Sequence, residues 1–371
     1  MVGEVQLTRV WVDILTPKQA RFFQPLIEQL EMKHYEILAT TRDYDQVTQM
    51  LDLLGVSANI IGKHGGGTLK GKLIADTKRI IDLTNLVSEY NPNIAISFVS
   101  PTALRVAFGL AIPSICVSDS PHAEAVSKLT LPLTTLLFTP DLIPSSAWSK
   151  YSISPNKIRQ YHALDPIVWL RNFEPSPEIL QDLNLDPKKP ILTARIEEAF
   201  ASYLLKKADD NRPRLLEVLK AIQANYPDLQ IVALPRYGGQ AKALADTFGD
   251  KICVPSRVID GTSLISYSTL FIGAGGTMTA EAVILGIPSI SFFHGLLHVE
   301  DYMVKRGLLR RASNSTDAIG IAFDILSNPE QAKSEAQSSA KKFREEMDDP
   351  IKILVEGIEE LLDKKPPEDR A

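Results

Sequence analysis

Short apolar runs alternate along this chain with longer segments whose apolar residues recur at helical spacing. That rhythm predicts strand–helix–strand units on a parallel sheet. Thr8 to Leu15 reads as the first strand, and Thr16-Pro17 as a helix N-cap followed by proline at the first helical position. Phe22, Phe23, Leu26, Ile27 and Leu30 then share one helical face. Tyr35 to Ala39 is the next strand, Tyr44 to Leu54 a helix and Asn59 to Ile61 a strand, followed by a helix ending at Tyr90. Ile94 to Phe98, a helix through Leu110 and Ser114 to Val117 continue the alternation, with Leu136 to Phe138 as the last strand of this half.

The texture changes between Leu164 and Pro190, where Pro166, Pro175, Pro177, Pro187 and Pro190 fall in one polar stretch. Such a stretch predicts a linker with one short helix. A second alternating series follows, with strands near Ile191–Thr193, Gln230–Leu234, Lys251–Val254, Thr269–Ile272 and Ser289–Ser291. Helices are expected from about Ser315 to Leu326, Pro329 to Glu346 and Pro350 to Leu362, before a charged, proline-containing tail that reads as disordered. The expected division is a domain at 1–165, a linker at 166–189, a second domain at 190–349, a final helix at 350–364 and a tail at 365–371. The fold class is α/β, with two Rossmann-like domains whose parallel sheets face across a cleft, and ligands are expected at the carboxyl ends of the strands.

Length agrees, since 371 residues exceed one ordinary core and suit two domains of about 150–200 residues. A net charge of −5 gives no basis for a nucleic-acid or membrane-surface partner, so any basic site must be local. Cys116 and Cys253 sit far apart in apolar runs and read as buried free thiols rather than a bridge or metal site. The scattered histidines have no metal-ligand spacing, and the Gly-x-Ser-x-Gly elbow of serine hydrolases is absent. There is no run of about 18 apolar residues to span a bilayer. Arg9 is followed at once by a strand containing Asp13, which does not suit a signal peptide, so the expected compartment is the cytoplasm.

The candidate chemistry centres on Phe271 to Ser291, a strand, a glycine turn, a helix and a second strand. Gly273, Gly275 and Gly276 allow a sharp turn, and Thr277 and Thr279 place hydroxyls at a helix start, where unpaired N–H groups favour an anion. The spacing is neither the dinucleotide fingerprint nor a P-loop. It fits either a phosphate-bearing ligand or an ordinary crossover with a Gly-rich turn. Arg195 and Arg236 end the first two strands of this half and suit bidentate phosphate contacts, or equally surface salt bridges. His294 and Glu300 lie just past the motif, where Glu300 could take ribose hydroxyls or simply favour the helix dipole.

In the first half, Asp119 and His122 follow a strand and suit general acid–base work, although Asp119 or Ser120 could merely cap the next helix. The loop Gly62 to Lys70, with Lys63 and His64, could close over an acceptor or a phosphate, or be an idle surface loop.

Several of these stretches occur in the order found in non-hydrolysing UDP-GlcNAc 2-epimerases. Ser120-Pro121-His122-Ala123-Glu124 through Lys128-Leu129-Thr130 and Thr139-Pro140 resembles one of their segments, and Thr193-Ala194-Arg195-Ile196-Glu197 another. Gly275-Gly276 with Glu281, and then Glu300, resembles their nucleotide clamp and that of GT-B glycosyltransferases. From Asp13-Ile14-Leu15-Thr16-Pro17 to the last helices the chain resembles a related, largely archaeal family, domain of unknown function 354. The resemblance implies a GT-B fold with the final helix crossing back onto the first domain. It also implies a UDP-linked nucleotide-sugar as substrate, with no separate cofactor or metal.

Departures bear on the reaction. Ser97-Phe98-Val99-Ser100 stands where the epimerases carry histidine-glycine-aspartate, Ser118-Asp119 stands near their next glutamate, and Ala194 replaces a histidine. The expectation is therefore a metal-independent glycosyltransferase acting on an unidentified acceptor, with a rearranged epimerase or a non-catalytic nucleotide-sugar binder as alternatives. Whether the chain forms a homodimer is left open.

Overall fold

A computed structural model describes residues 7–197, 215–236, 238–292 and 297–363. The chain divides into two compact units: Met1–Trp169 with Asp348–Ala371, and Leu170–Met347.

Unit 1 is built on a seven-stranded parallel sheet of order β3-β2-β1-β4-β5-β6-β7. Its strands are β1 (Arg9–Asp13), β2 (Glu36–Asp43), β3 (Asn59–Lys63), β4 (Ile94–Ser97), β5 (Ser114–Val117), β6 (Leu136–Pro140) and β7 (Ile158–Tyr161). β4, β5 and β6 are buried at every position, as continuous apolar runs in a sheet covered on both faces should be. The first helix, Pro17–Met32, begins as its sequence predicts: Thr16 accepts from the Gln19 N–H at 3.4 Å, proline stands at the first position, and Phe22, Phe23, Leu26, Ile27 and Leu30 are buried.

Sheet 1 does not end at β6. β7 escapes sequence reading because it is an edge strand of polar composition, Ile-Arg-Gln-Tyr, that fully buries only Tyr161. The helix Pro350–Asp363 also belongs to unit 1, where a Cβ at Gly357 would collide with the Phe138 ring and Lys33 pairs with Glu359 at 2.8 Å. Cys116 is buried in β5, and burial pushes its thiol up to about 12.

Unit 2 holds a five-stranded parallel sheet of order β12-β11-β10-β8-β9. Here β8 is Ile191–Arg195, β9 Gln230–Leu234, β10 Leu270–Gly273, β11 Ser289–Ser291 and β12 Arg310–Arg311. The two-residue β12 has no apolar alternation to announce it. Conversely, Lys251–Val254 is not a strand: a 3-10 turn covers Gly249–Lys251, and only Cys253 bridges to Val232 before Pro255. Cys253 is half-buried rather than buried. The proline-rich stretch carries two short helices, Ile167–Leu170 and Glu178–Asp182, rather than one.

The centre of sheet 1 is held by a buried ion pair. Arg79, on the helix Leu69–Tyr90, donates to both Asp13 oxygens, at 2.6 and 3.1 Å, and to Thr102 at 2.6 Å and the Ile61 carbonyl at 2.9 Å. Ser100 and Thr40 also donate to Asp13, at 2.6 and 2.7 Å, and Trp11 donates to Thr40 at 2.8 Å. Burial alone would raise the Asp13 carboxyl, but Arg79, Ser100 and Thr40 outweigh it and hold the group below its ordinary value.

Because that pKa is depressed, the Asp13 contribution to stability is complete above the unfolded value of about 4 and is lost as pH falls through the lower folded value. Arg79→Ala leaves a buried carboxylate unpaired and is expected to cost about 3–5 kcal/mol in urea denaturation at neutral pH. A loss under about 1 kcal/mol would show that the network is not what holds this region.

Candidate functional site

The order of sheet 2 contains a switch point. The chain leaves β8 toward β9 and then returns to the opposite side of β8 with β10, so the connections diverge between β8 and β10. Crevices at such a switch point, beyond the carboxyl ends of the strands, are the usual ligand sites of open α/β sheets. The register sets one row across that edge. Leu234 lies opposite Arg195, Ile272 opposite Ala194, Gly273 opposite Ser291, and Ser291 opposite Arg311.

The glycine turn sits in the middle of this row. Gly275 and Gly276 have φ of 74° and 84°, in the left-handed region, and Gly276 immediately precedes the helix Thr277–Ile284. A Cβ at Gly273 would lie 2.8 Å from the Phe271 ring and 2.9 Å from Thr279 Oγ1, so the turn admits no side chain there. At Gly276 a Cβ would meet nothing within 4 Å, which leaves the start of this helix open to a ligand. Thr279 Oγ1 is buried without a hydrogen-bond partner among the described residues, and Thr277 is half-buried beside it.

Two arginines lie at or just past the ends of the neighbouring strands β8 and β9. Arg195 donates to the carbonyls of Leu234 at 3.3 Å and Pro235 at 3.0 Å, and Arg236 donates to the Ile196 carbonyl at 3.2 Å. Each is thereby held across the gap between the ends of β8 and β9. Glu281 points elsewhere: it is buried and accepts from Thr262 at 3.2 Å on the neighbouring helix Gly261–Ser266, a packing position.

Glu300, on the helix His298–Lys305, is also buried, and accepts from Arg311 Nε at 2.9 Å, while Arg311 donates to Asp301 at 2.5 Å. Burial raises the Glu300 carboxyl against the opposing pull of Ser291 and Arg311, although Ser291 Oγ forms no hydrogen bond of regular geometry. Its second oxygen, Oε2, is buried with no partner among the described residues. Sequence reading missed Arg311, whose only signal was a basic pair closing a short apolar run. His294 lies outside the described residues.

In unit 1 the structure gathers Asp119 with two residues the sequence did not single out. Lys18, at the start of the first helix, places Nζ 2.5 Å from Asp119 Oδ2. The same Nζ is 2.7 Å from Asp165 Oδ2, close enough for an ion pair though not aligned for a hydrogen bond. It also lies 4.5 Å from the centre of the Phe98 ring. Ser120 donates to Asp119 at 2.8 Å and Tyr161 to Asp165 at 2.6 Å. Neither Asp119 nor Ser120 caps the helix Glu124–Thr130, whose N-cap is Ala123. His122 is half-buried and close enough to act electrostatically on Asp119.

The two carboxyls differ. Desolvation would raise Asp119, but Lys18, Ser120 and His122 hold it below the ordinary range. Desolvation, with repulsion from Asp119, raises Asp165 despite Lys18 and Tyr161. Burial would lower the Lys18 ammonium, and the two carboxylates reverse this. Exposure separates the roles further: the Asp119 side chain keeps 21% of its surface and Lys18 18%, against 1% for Asp165, so only the first two can meet a ligand.

Lys63 and His64 are exposed at the end of β3. His64 stacks on Tyr44 with ring centres 4.8 Å apart, and the start of its loop is fastened: a Cβ at Gly65 would lie 2.5 Å from the Lys72 Cα. Among the described residues no three His, Cys, Asp or Glu side chains are grouped to hold a metal, and no helix is long and apolar enough to cross a membrane.

The family model described as "Protein of unknown function (DUF354)" matches residues 8–363. The chain belongs to this family. An uncharacterized protein of Methanocaldococcus jannaschii, MJ0665, is 32% identical over 332 residues, covering 85% of this chain and 91% of that protein. Among solved structures, UDP-GlcNAc 2-epimerase from Neisseria meningitidis bound to UDP-GlcNAc superposes with a TM-score of 0.73 at 17% identity, covering 95% of this chain and all of that one. The spinosyn rhamnosyltransferase SpnG, complexed with spinosyn aglycone, gives a TM-score of 0.63 at 14% identity over 95% of this chain and all of its own. This member of the family therefore has the GT-B fold of those epimerases and glycosyltransferases.

Lys18→Met removes the cation shared by Asp119 and Asp165, so both folded-state pKa values rise above the unfolded value of about 4. The folded variant then binds more protons than the unfolded chain as pH rises from there, and loses stability over that interval. Urea unfolding is expected to show a larger deficit at about pH 7.5 than at about pH 5. An equal deficit at both would show that the pairing is not what sets these groups.

Proposed function

We propose that the chain is a nucleotide-sugar-dependent glycosyltransferase whose unit 2 holds the donor diphosphate at the switch point of its sheet. The observation that carries this reading is the left-handed Gly275-Gly276 turn, which follows β10 beside β8, the strand that ends in Arg195, and opens onto a helix N-terminus. Main-chain N–H groups and the helix dipole favour an anion there, and the arginine supplies charge-assisted donors. The same pair stabilises the leaving diphosphate as the glycosidic bond to it breaks. That the Neisseria protein binds UDP-GlcNAc supports a UDP-linked sugar as donor, and that SpnG is a rhamnosyltransferase supports sugar transfer.

Asp119 is the base in this reading. Lys18 keeps it ionised at neutral pH and therefore weakly basic. A weak carboxylate suits a hydroxyl that becomes acidic only as it attacks the sugar, and does not suit removal of a carbon-bound proton. Glu300 is the ribose candidate through its Oε2, which has no hydrogen-bond partner among the described residues.

A second reading, sugar-nucleotide epimerisation, draws on the pairing of an ionised Asp119 with the protonation-prone Asp165 as base and acid. The burial of Asp165 argues against its meeting a substrate.

Calorimetric titration with UDP, GDP, CDP and TDP tests the clamp, and selective binding of one of them is expected. Arg195→Ala should weaken it about tenfold or more, the loss of a charged hydrogen bond. Silence from all four, or an unchanged Arg195→Ala affinity, would defeat the proposal. Incubation with the bound sugar-nucleotide in heavy water separates the two reactions, since only epimerisation carries deuterium to C2.

A further inference from the structure

The helix Leu69–Tyr90 presents an unusual outer face. Leu69, Leu73, Thr77 and Ile81 recur at every fourth position, with Ile74 beside them. Leu69 is 76% exposed, Leu73 68%, Ile81 59% and Ile74 46%, although a helix normally turns such residues inward. Ile60, on the edge strand β3 of the same sheet, is 57% exposed.

Lysines border this apolar face, with Asp82 an exposed acid on the same helix. Lys63, Lys70 and Lys78 are exposed and Lys72 is half-buried. Behind them, Arg42, His64, Lys72 and Arg79 act on one another electrostatically, with Asp13 and Asp76 as the opposing carboxylates. Asp13 is already saturated by Arg79, Ser100 and Thr40. Arg42 Nε is buried with no hydrogen-bond partner among the described residues. A chain of net charge −5 thus concentrates positive charge around its most exposed apolar helix face.

Apolar side chains on one helical face, flanked by lysines, match the requirements of a surface that lies in the headgroup region of an anionic bilayer. We infer that this face of unit 1 docks on an anionic lipid leaflet, its leucines and isoleucines entering the acyl boundary while the lysines and Arg42 meet lipid phosphates. A second copy of the chain fits less well, because a two-fold contact would bring two lysine-rich faces together. The inference is independent of the nucleotide reading, since the face lies on unit 1 and the diphosphate site on unit 2.

Co-sedimentation tests it, using vesicles of phosphatidylcholine alone and of phosphatidylcholine containing phosphatidylglycerol. Binding is expected to the anionic vesicles only. Since each lysine near the surface strengthens binding about fivefold, Lys70→Gln with Lys78→Gln should weaken it about twentyfold or more. Leu69→Ser with Leu73→Ser should abolish most of it, and UDP titration of both variants should match the parent. These positions are solvent-exposed, so the substitutions leave the core intact.

Absence of binding, or equal binding to neutral and anionic vesicles, would overturn the inference. So would a sedimentation-velocity dimer that Leu73→Ser dissociates, which would give the face to a second copy. Binding of inorganic phosphate that Arg42→Gln removes, without vesicle binding, would likewise replace the lipid by a free anion.

Discussion

The Asp13–Arg79 pair is the interaction on which unit 1 depends. Asp13 ends the inner strand β1, Thr40 comes from β2, Ser100 from the turn after β4, and Arg79 from a helix that also holds the carbonyl of Ile61 in β3. A charge buried at the end of a strand is tolerable only when every acceptor and donor is paired, and here the pairing joins four strands at one edge. Both sides of the switch point between β1 and β4 are thereby fixed, and the helix whose first turn carries Lys18 follows closely on β1.

The same constraint explains where the candidate site residues sit in each unit. Sheets covered on both faces leave no room for unpaired polar groups except past the strand ends. Unit 1 places Lys18 and Asp119 there, half-buried, and unit 2 places the glycine turn and two arginines there. Differences in burial then assign roles: Asp119 remains reachable while Asp165 is sealed and serves to set the charge of its neighbours.

Much of this was legible in the residues. Thr16-Pro17, the face of Phe22 to Leu30 and the Gly275-Gly276 turn announce themselves through capping, periodicity and glycine chemistry. The strands that escaped notice, β7 and β12, lie at sheet edges, where half the neighbours are missing and hydrophobic pattern weakens. Lys251–Val254 misled for the opposite reason, an apolar run that pairs through a single bridge. Within the candidate site, Lys18 and Asp165 were invisible because their partner lies 101 residues from one, and no local spacing links the other to it. Glu281 was singled out by its resemblance to a nucleotide clamp, and in the structure it is buried and accepts from Thr262. Family membership and the GT-B fold, by contrast, were carried by motif order along the whole chain and stand in the comparisons.

The central claim is that a nucleotide diphosphate sits on the main-chain N–H groups of the turn after β10. Amide hydrogen exchange, measured with and without saturating UDP, tests it most directly. The account predicts slowed exchange concentrated at Gly275 to Thr279, with the rest of sheet 2 little changed. Unaltered exchange across that turn under conditions where UDP is bound would contradict it and place the nucleotide elsewhere on the molecule.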